Sequence, residues 1–244
     1  MDVIVGRRSV LELLRGERPV SRVVLAKGLK PNEAIKEIES LAAAKQVPVT
    51  RVDRREIDGL AEEQAHQGVA ALVEPYRFAD FSAVLRATAE ATDGLLVALD
   101  GITDPHNAGA LIRTADAVGV TAVLLPKRRT APISTTVFKT SAGAVEHIQI
   151  ARVGNLATAI DEAKEAGFWV YGATVSAEST LFEQDFSGKV LIVLGSEGEG
   201  LSRLIKEKCD FLVRIPMAGK ISSLNVSVAG ALLMYEVYRK IWRS

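Results

Sequence analysis

The chain has 244 residues, of which 48% are hydrophobic and 25% charged, with 30 lysines and arginines against 30 aspartates and glutamates. This composition excludes a disordered or fibrous protein and suffices for one large domain or two small ones. The formal net charge of +0 gives no overall positive field, so charge alone neither implies nor excludes nucleic-acid binding.

The single cysteine, Cys209, cannot form an intrachain disulfide, and no cysteine cluster is present that could hold zinc. A reducing compartment and a buried thiol are therefore expected. The apolar run Val3 to Val5 is too short for the core of a signal peptide. The longest apolar stretch, 228–234, is far below the roughly 18 residues of a membrane span. We expect a cytoplasmic protein with no membrane partner.

Residues 1–74 predict a small α/β domain. Apolar runs predict strands at 22–26, 47–52 and 68–73, and Pro31 opens a helix whose apolar positions recur every three or four residues. Twelve basic and twelve acidic residues lie within positions 1–75, so this part of the chain has no basic excess.

Residues 75–94 have the composition of a linker, because they combine Pro75, a short helical pattern and an Asp-Gly turn. The second domain is predicted to span 95–244. Its apolar runs are LLVAL (95–99), AVLL (122–125), FWVYGA (168–173), VLIVL (190–194) and FLVRI (211–215). Runs without polar alternation indicate strands that are covered on both faces, and hence a mostly parallel sheet in an α/β domain.

The segment LDGITDPHNAGALIRTADAVG, residues 99–119, predicts a strand end at Asp100 and a helix that starts near Asn107. Asn107 is either a helix cap or a functional side chain. Arg113 is either an ion-pair partner of Asp116 or a functional cation. The two residues are six positions apart, which is about 120° around a helix, so they could flank one concavity.

The segment VLIVLGSEGEGL, residues 190–201, predicts a buried strand followed by a turn with Gly195, Gly198 and Gly200. The glycines free the backbone to approach a ligand closely. Their spacing matches neither the dinucleotide fingerprint nor the P-loop. Glu197 would repel a pyrophosphate, so it suits a ligand with hydroxyls or positive charge, or else it caps a following helix.

The segment IPMAGKISSLNVSVAGALLMYEVY, residues 215–238, predicts a loop and then a helix that begins at Ser222 or Ser223. Ser223 could be an N-cap, and the small residues could serve close helix packing. Polar residues at 222, 223, 225 and 227 are more than capping requires, so a functional role is predicted alongside.

The motifs NAGALIRTADAVG, LGSEGEGL and IPMAGKISSLNVSVAGALLMYE resemble the three signature segments of the SpoU (TrmH) branch of the SPOUT RNA methyltransferases. GRRSVLELL (6–14) and HQGVAALV (66–73) are similar to segments of members with an added RNA-binding domain. The resemblance implies a small N-terminal α/β RNA-binding domain followed by a SPOUT α/β domain with a C-terminal trefoil knot.

The resemblance also implies S-adenosylmethionine as cofactor and no metal. The implied cofactor-binding residues are Gly195, Ile215 and Leu224, with Glu197, Gly198, Met217 and Ser223 nearby. The implied catalytic set is Arg113 at a ribose 2'-hydroxyl, with Asn107, Glu197, Ser223 and Asn225 positioning the substrate. A homodimer is expected, in which Asn107 and Arg113 of one chain complete the site of the other.

Among family members, those that methylate the 2'-oxygen of a guanosine in 23S rRNA are the most similar, and this reaction is the expected function. His66, Gln67 and the basic loop 127–129 are candidate RNA contacts, with a structural histidine and a solvated loop as the alternatives. The open alternatives for function are a tRNA or an rRNA-adenosine 2'-O-methyltransferase, and a non-catalytic RNA-binding assembly factor on the same fold. The tRNA enzymes usually lack this N-terminal domain and carry basic terminal extensions.

Overall fold

The computed structural model describes residues 1–61 and 65–241, which form two compact units. The first unit comprises residues 1–77 and 133–147, and the second comprises residues 78–132 and the chain from 148 onward. No helix within the described residues is long and apolar enough to span a membrane.

The elements are numbered in chain order. The strands are β1 (Asp2–Val5), β2 (Val20–Ala26), β3 (Val49–Val52), β4 (Val69–Val73), β5 (Gly94–Asp100), β6 (Ala122–Pro126), β7 (Gln149–Val153), β8 (Trp169–Ala173), β9 (Lys189–Gly195) and β10 (Phe211–Val213). The helices are α1 (Arg7–Arg15), α2 (Glu33–Ala44), α3 (Arg54–Ala61), α4 (Phe81–Ala87), α5 (Pro105–Ala117), α6 (Thr135–Thr140), α7 (Leu156–Glu165), α8 (Arg203–Lys208) and α9 (Val226–Ile241).

The first unit contains a four-stranded sheet in the order β1-β4-β2-β3. Strand β4 is antiparallel to both β1 and β2, and β2 is parallel to β3. Val5, Val24 and Ile57 are buried in the core that α3 forms against this sheet. The predicted small N-terminal α/β domain is confirmed.

Segment 133–147 belongs to the first unit, whereas the sequence analysis assigned it to the C-terminal domain. The physical reason is its contacts with the first strand and helix: Thr135 Oγ1 donates a hydrogen bond of 2.6 Å to the Val3 carbonyl. Arg18 forms ion pairs with Asp2 at 2.5 Å and with Glu146 at 3.5 Å. The first unit is thus completed by a segment that follows it in the chain by more than 50 residues.

The second unit contains six strands in the order β10-β8-β9-β5-β6-β7, and every neighbouring pair is parallel. The predicted parallel sheet is therefore confirmed. Helix α4 lies inside the predicted linker, and its Phe81 and Val84 are buried in the core of this unit. The C-terminal trefoil knot stays a prediction.

Helix α9 packs closely on α5 and β9, and this packing positions the site described below. A methyl group at Gly230 would lie 2.3 Å from Leu111 Cδ2 and 2.7 Å from Leu194 Cδ1. Both distances are far inside van der Waals contact, so any larger residue at position 230 would force the buried side chains of Leu111 and Leu194 to repack. The prediction of close packing by the small residues of this helix is confirmed.

Candidate active site

The carboxyl ends of the six parallel strands lie at one edge of the second sheet, where open α/β sheets bind ligands. The loops that follow β8, β9 and β10, together with the start of α9, enclose a groove of about 510 Å³. Eight of the ten predicted catalytic and cofactor-binding residues line this groove: Gly195, Glu197, Gly198, Ile215, Met217, Ser223, Leu224 and Asn225. All predicted cofactor-binding residues are therefore in one cavity.

The glycine turn after β9 folds tightly back on itself. The Gly200 N–H donates to the Ser196 carbonyl at 2.9 Å. A methyl group at Gly195 would lie 2.2 Å from the carbonyl carbon of Gly200 and 2.4 Å from the Leu201 nitrogen. Only glycine permits this approach of two backbone segments, because any Cβ would force the turn open.

Asn225 connects the three predicted motifs. Its Nδ2 donates to Asn107 Oδ1 at 3.0 Å and to Glu197 Oε1 at 2.7 Å. Glu197 Oε1 also accepts from the Val226 N–H at 3.5 Å. One side chain thus holds together the helix α5, the glycine turn and the start of α9.

Asn107 is not the cap of its helix, so that alternative is wrong. Helix α5 begins at Pro105, and the Asp104 side chain accepts from the His106 N–H at 2.9 Å in the capping position. Asn107 lies within the first turns, and only 7% of its surface is exposed. Its side chain is free of the capping role and bonds to Asn225 instead.

The last helix begins later than predicted, at Val226 rather than at residue 222 or 223. Asn225 Oδ1 accepts from the Ser227 N–H at 2.9 Å, and the Asn225 carbonyl accepts from the Ala229 N–H at 3.0 Å. These are the bonds of an N-cap. Asn225 therefore caps the helix, and Ser223 is an exposed residue that lines the groove.

Arg113 lies on α5 outside the groove of its own chain. The side chain is exposed, and within the described residues it forms no ion pair, so the alternative pairing with Asp116 is not observed. The structure brings Asn107 together with Asn225 and Glu197 of the same chain, but it does not bring Arg113 to them.

Several groove residues were missed in the sequence. These are Thr174 and Ser176 after β8, Lys206 on α8 and Arg214 after β10. No local motif distinguishes them, because their proximity depends on the order of β8, β9 and β10 in the sheet. A topology prediction could have found Thr174, since it directly follows the predicted strand 168–173. Arg214 lies inside the predicted run 211–215, and only the earlier end of β10, at Val213, places it in the following loop.

The candidate RNA contacts lie in the turn before β4 of the first unit and in the loop after β6 of the second unit. His66 is buried, and both of its ring nitrogens have hydrogen-bond partners, so it has the structural role that was weighed as its alternative. Gln67 is exposed. In the basic loop after β6, Arg129 pairs with Glu199 of the glycine turn at 3.2 Å.

The groove suits a cofactor of the size and charge of S-adenosylmethionine. Its volume is within the roughly 300–1,000 Å³ of small-molecule sites. The carboxylates of Glu197 and Glu199 and the cations of Lys206 and Arg214 line the cavity, which matches a ligand that carries both positive and negative charge. Among the described residues there is no group of three side chains that could hold a metal ion.

The second unit is a parallel α/β sheet with a ligand groove at the carboxyl ends of its strands, and a cluster of polar side chains lies at that groove. This arrangement is typical of a protein that binds a small cofactor beside a reacting group. Residues 94–235 match the SpoU rRNA Methylase family, and residues 3–79 match the family described as RNA 2'-O ribose methyltransferase substrate binding. The chain belongs to the SpoU rRNA methylase family.

Individual relatives agree with this assignment. The chain is 45% identical over 240 residues to a TrmH family tRNA/rRNA methyltransferase of Staphylococcus aureus, covering 98% of this chain and 96% of the relative. The AdoMet-bound rRNA methyltransferase from Sinorhizobium meliloti has a TM-score of 0.81 at 26% identity, over 98% of this chain and 87% of its own. The A. aeolicus TrmH/SpoU tRNA modifying enzyme has a TM-score of 0.55 at 31% identity, over 66% of this chain and 83% of its own.

Proposed function

We propose that this protein uses S-adenosylmethionine to methylate the 2'-oxygen of a guanosine ribose in 23S rRNA. The observation that carries the proposal is the hydrogen-bonded cluster of Asn225, Asn107 and Glu197, with Asn225 and Glu197 lining the groove of the cofactor-binding residues. Three separate motifs of the chain converge there. The lone thiol of Cys209 supports a reducing, cytoplasmic compartment for this reaction.

The cofactor would be held by the groove. Backbone groups of Gly195, Ile215 and Leu224 are available to the adenine and ribose, and Glu197 provides a carboxylate for positive charge. S-adenosylmethionine supplies an electrophilic methyl group on a sulfonium. The binding of AdoMet by the Sinorhizobium relative, which spans 98% of this chain, supports this cofactor.

The protein's own residues must then place a 2'-hydroxyl in line with the methyl group and assist loss of its proton. Asn225 and Glu197 offer amide and carboxylate groups for ribose hydroxyls, and Ser223 adds a hydroxyl. The buried Asn107 would act by positioning Asn225, whose Nδ2 donates to its Oδ1. Arg113 is a poor base, because a free guanidinium keeps its proton at every pH at which enzymes work. We assign it to developing negative charge on the 2'-oxygen or to a neighbouring phosphate.

Arg113 is proposed to act in the groove of a second copy of the chain. It is exposed and lies outside its own groove, whereas Asn107 bonds within its own chain. Helix α9 exposes Val228, Leu232 and Tyr235, spaced by four and three residues, as an apolar face for a homodimer. We therefore retain the cross-subunit role for Arg113 and not for Asn107.

A complementation experiment tests this arrangement. Arg113→Ala and Glu197→Gln protomers are each expected to be inactive alone. After the two are mixed and allowed to exchange subunits, about a quarter of wild-type activity should return, because half of the dimers are mixed and each has one intact site. Activity that stays at background, with mixed dimers shown to have formed, contradicts the cross-subunit role.

An Arg113→Lys variant separates the two chemical roles. Charge stabilisation predicts a loss of turnover that is independent of pH, with cofactor binding retained. Turnover that rises steeply with pH would instead identify residue 113 as the base.

The substrate is tested by methyl transfer from labelled S-adenosylmethionine to protein-free 23S rRNA and to total tRNA, with the modified position mapped by reverse transcription. Label on one guanosine ribose of 23S rRNA supports the proposal. Label only in tRNA, or on an adenosine, would show that the substrate is a different RNA or nucleoside, while the proposed 2'-O-methylation reaction would stand. No label on either RNA, despite cofactor binding, favours an assembled ribosomal particle or a non-catalytic RNA-binding factor, and a reaction with ribosomal precursors distinguishes these two.

A further inference from the structure

The loops at one edge of the first sheet are brought together by its topology. Strands β1, β2 and β3 end where β4 begins, because β4 is antiparallel to β1 and β2. The Gly6 N–H donates to the Val69 carbonyl at 3.0 Å, and the Lys27 N–H donates to the Val52 carbonyl at 2.8 Å. Adjacent strands are about 4.8 Å apart, so the four chain turns lie within about 15 Å of one another.

This edge is basic although the N-terminal part of the sequence is neutral. We define the basic edge as the cations in the turns after β1, β2 and β3 and in the helical turns that adjoin them: Arg7, Arg8, Lys27, Lys30, Arg54 and Arg55. The carboxylates in the same segments are Glu33, Asp53, Glu56 and Asp58, so six cations face four carboxylates among the described residues of this edge. Asp53 pairs with Lys27 at 3.2 Å and Asp58 with His66 at 2.8 Å. At the opposite edge, Arg18, Lys45 and Arg77 are matched by Asp2, Glu17 and Glu74.

The turn before β4 holds an exposed amide at the basic edge. Gln67 has a left-handed backbone with φ of 52°, a conformation that costs a non-glycine residue about 1–2 kcal/mol. The buried His66 fixes it: its Nε2 lies 2.8 Å from Asp58 Oδ1, and its Nδ1 accepts from the Gly68 N–H at 2.9 Å. The His66 carbonyl accepts from the Val69 N–H at 2.9 Å. The Gln67 side chain is therefore presented to solvent from a rigid turn.

We propose that the basic edge and Gln67 form the RNA-binding surface of the first unit. The exposed cations would contact backbone phosphates, and the Gln67 carboxamide would donate to and accept from a ribose or base edge of an unpaired nucleotide. His66 is a positioning residue in this surface. The inference rests on the proposed function only in that RNA is taken as the substrate.

The cationic part is tested by comparing Arg55→Ser with Arg22→Ser. Both arginines are exposed, but Arg22 lies on β2 near the opposite edge. Affinity for a protein-free 23S rRNA transcript is measured over a range of salt concentrations. Arg55→Ser should weaken binding about threefold to tenfold and reduce the salt slope by about 0.7–0.9, whereas Arg22→Ser should leave the slope unchanged.

The amide contact is tested by Gln67→Ala against Gln46→Ala. Gln46 is also exposed and also has a left-handed backbone, with φ of 56°, but it precedes β3 at the opposite edge. The two substitutions therefore impose the same backbone constraint. Gln67→Ala should weaken RNA binding about threefold to tenfold without changing the salt slope, and Gln46→Ala should have no effect.

The outcomes separate this inference from the proposed function. If wild-type protein methylates RNA while Arg55→Ser and Gln67→Ala keep its RNA affinity, KM and salt slope, the surface is wrong and the proposed function stands. If the two variants lose RNA affinity while wild-type protein binds S-adenosylhomocysteine but methylates no RNA, the surface is supported and the proposed function fails.

Discussion

Asn225→Asp separates the two roles of the residue at the centre of the candidate active site. An aspartate caps a helix as well as an asparagine does, so the bond from the Ser227 N–H is retained. The substitution removes the Nδ2 donor. A carboxylate oxygen then faces Glu197 Oε1, which is 2.7 Å from that donor, and Asn107 Oδ1, which is 3.0 Å from it.

The expected loss of stability has two contributions. Two unit charges about 2.7 Å apart repel by about 1.5 kcal/mol at the dielectric constant of water, which is appropriate because Glu197 is exposed. Leaving the buried amide oxygen of Asn107 without a donor costs a further 1–3 kcal/mol or so. If the Asn107 amide rotates to donate to the new carboxylate, only the repulsion remains. The free energy of unfolding should therefore fall by about 1.5–4.5 kcal/mol.

The assay is urea denaturation, combined with calorimetric titration of S-adenosylhomocysteine. The matched control is Asn155→Asp, because Asn155 caps α7 by accepting from the Ala157 and Thr158 N–H groups. Among the residues that the structure describes, its side chain bonds to no carboxylate. This control should change stability by a few tenths of a kcal/mol at most. The deficit of Asn225→Asp should shrink at acidic pH, where a proton on either carboxyl group removes the repulsion.

Equal stability of the two aspartate variants at neutral pH would refute the reasoning, since it would mean that the bonds from Asn225 to Glu197 and Asn107 contribute nothing. A deficit that is independent of pH would refute the electrostatic part alone. A loss of cofactor affinity in Asn225→Asp, with Asn155→Asp unchanged, would show that the cluster also organises the groove.

Three further predictions concern the groove and the two cores. Gly195→Ala should abolish cofactor binding in calorimetry, because the turn must open to admit its Cβ, whereas Gly154→Ala, which has open space and no positive φ, should not. Arg18→Met should lower the free energy of unfolding in urea by about 3–5 kcal/mol, because it leaves Glu146, with a side chain only 4% exposed, without a cation. Burial raises the pKa of Cys209 to about 12, so alkylation should be slow at pH 8 until urea is added, and stability should decline above about pH 9, where only the unfolded thiol ionises.

The apolar runs predicted five of the six described strands of the second unit, because parallel strands covered on both faces need continuous apolar runs, such as Leu95 to Leu99. Strand β7 has no such run, since its Gln149 and Arg152 are exposed. The sequence also predicted residues at the carboxyl ends of strands: Gly195 directly follows the run 190–194, and Ile215 ends the run 211–215. It could not predict the hydrogen bonds of Asn225, because they depend on how α9 returns to β9 across Gly230. Lys206 was missed because its proximity to the groove depends on the order of β8, β9 and β10 in the sheet.

The predicted starts of α5 and α9 were wrong because two polar residues near each start are suited to the N-cap position. Asn107 and Ser223 are both good N-caps by residue type, yet Asp104 and Asn225 occupy the capping positions. Propensity ranks the candidates almost equally, so the backbone path into each helix decides. The side chains that lose the competition remain available for a ligand, and a surplus of capping residues at a helix start is therefore itself a signal of function.

Net charge was an equally indirect guide to RNA binding. A chain with 30 cations and 30 anions can still present a local positive field if the sheet topology sorts the charges to different edges. In the first unit the turns after β1 and β3 contribute Arg7, Arg8, Arg54 and Arg55, while the turns at the other end are balanced. Salt screens charges that lie more than about one Debye length apart, so a phosphate is attracted mainly by the cations close to it. RNA binding therefore depends on the net charge at one edge of the sheet rather than on the net charge of the whole domain. For such a surface we expect the slope of the logarithm of RNA affinity against the logarithm of salt concentration to correspond to only a few released counterions. A much larger slope would mean that cations outside this surface also contact RNA phosphates.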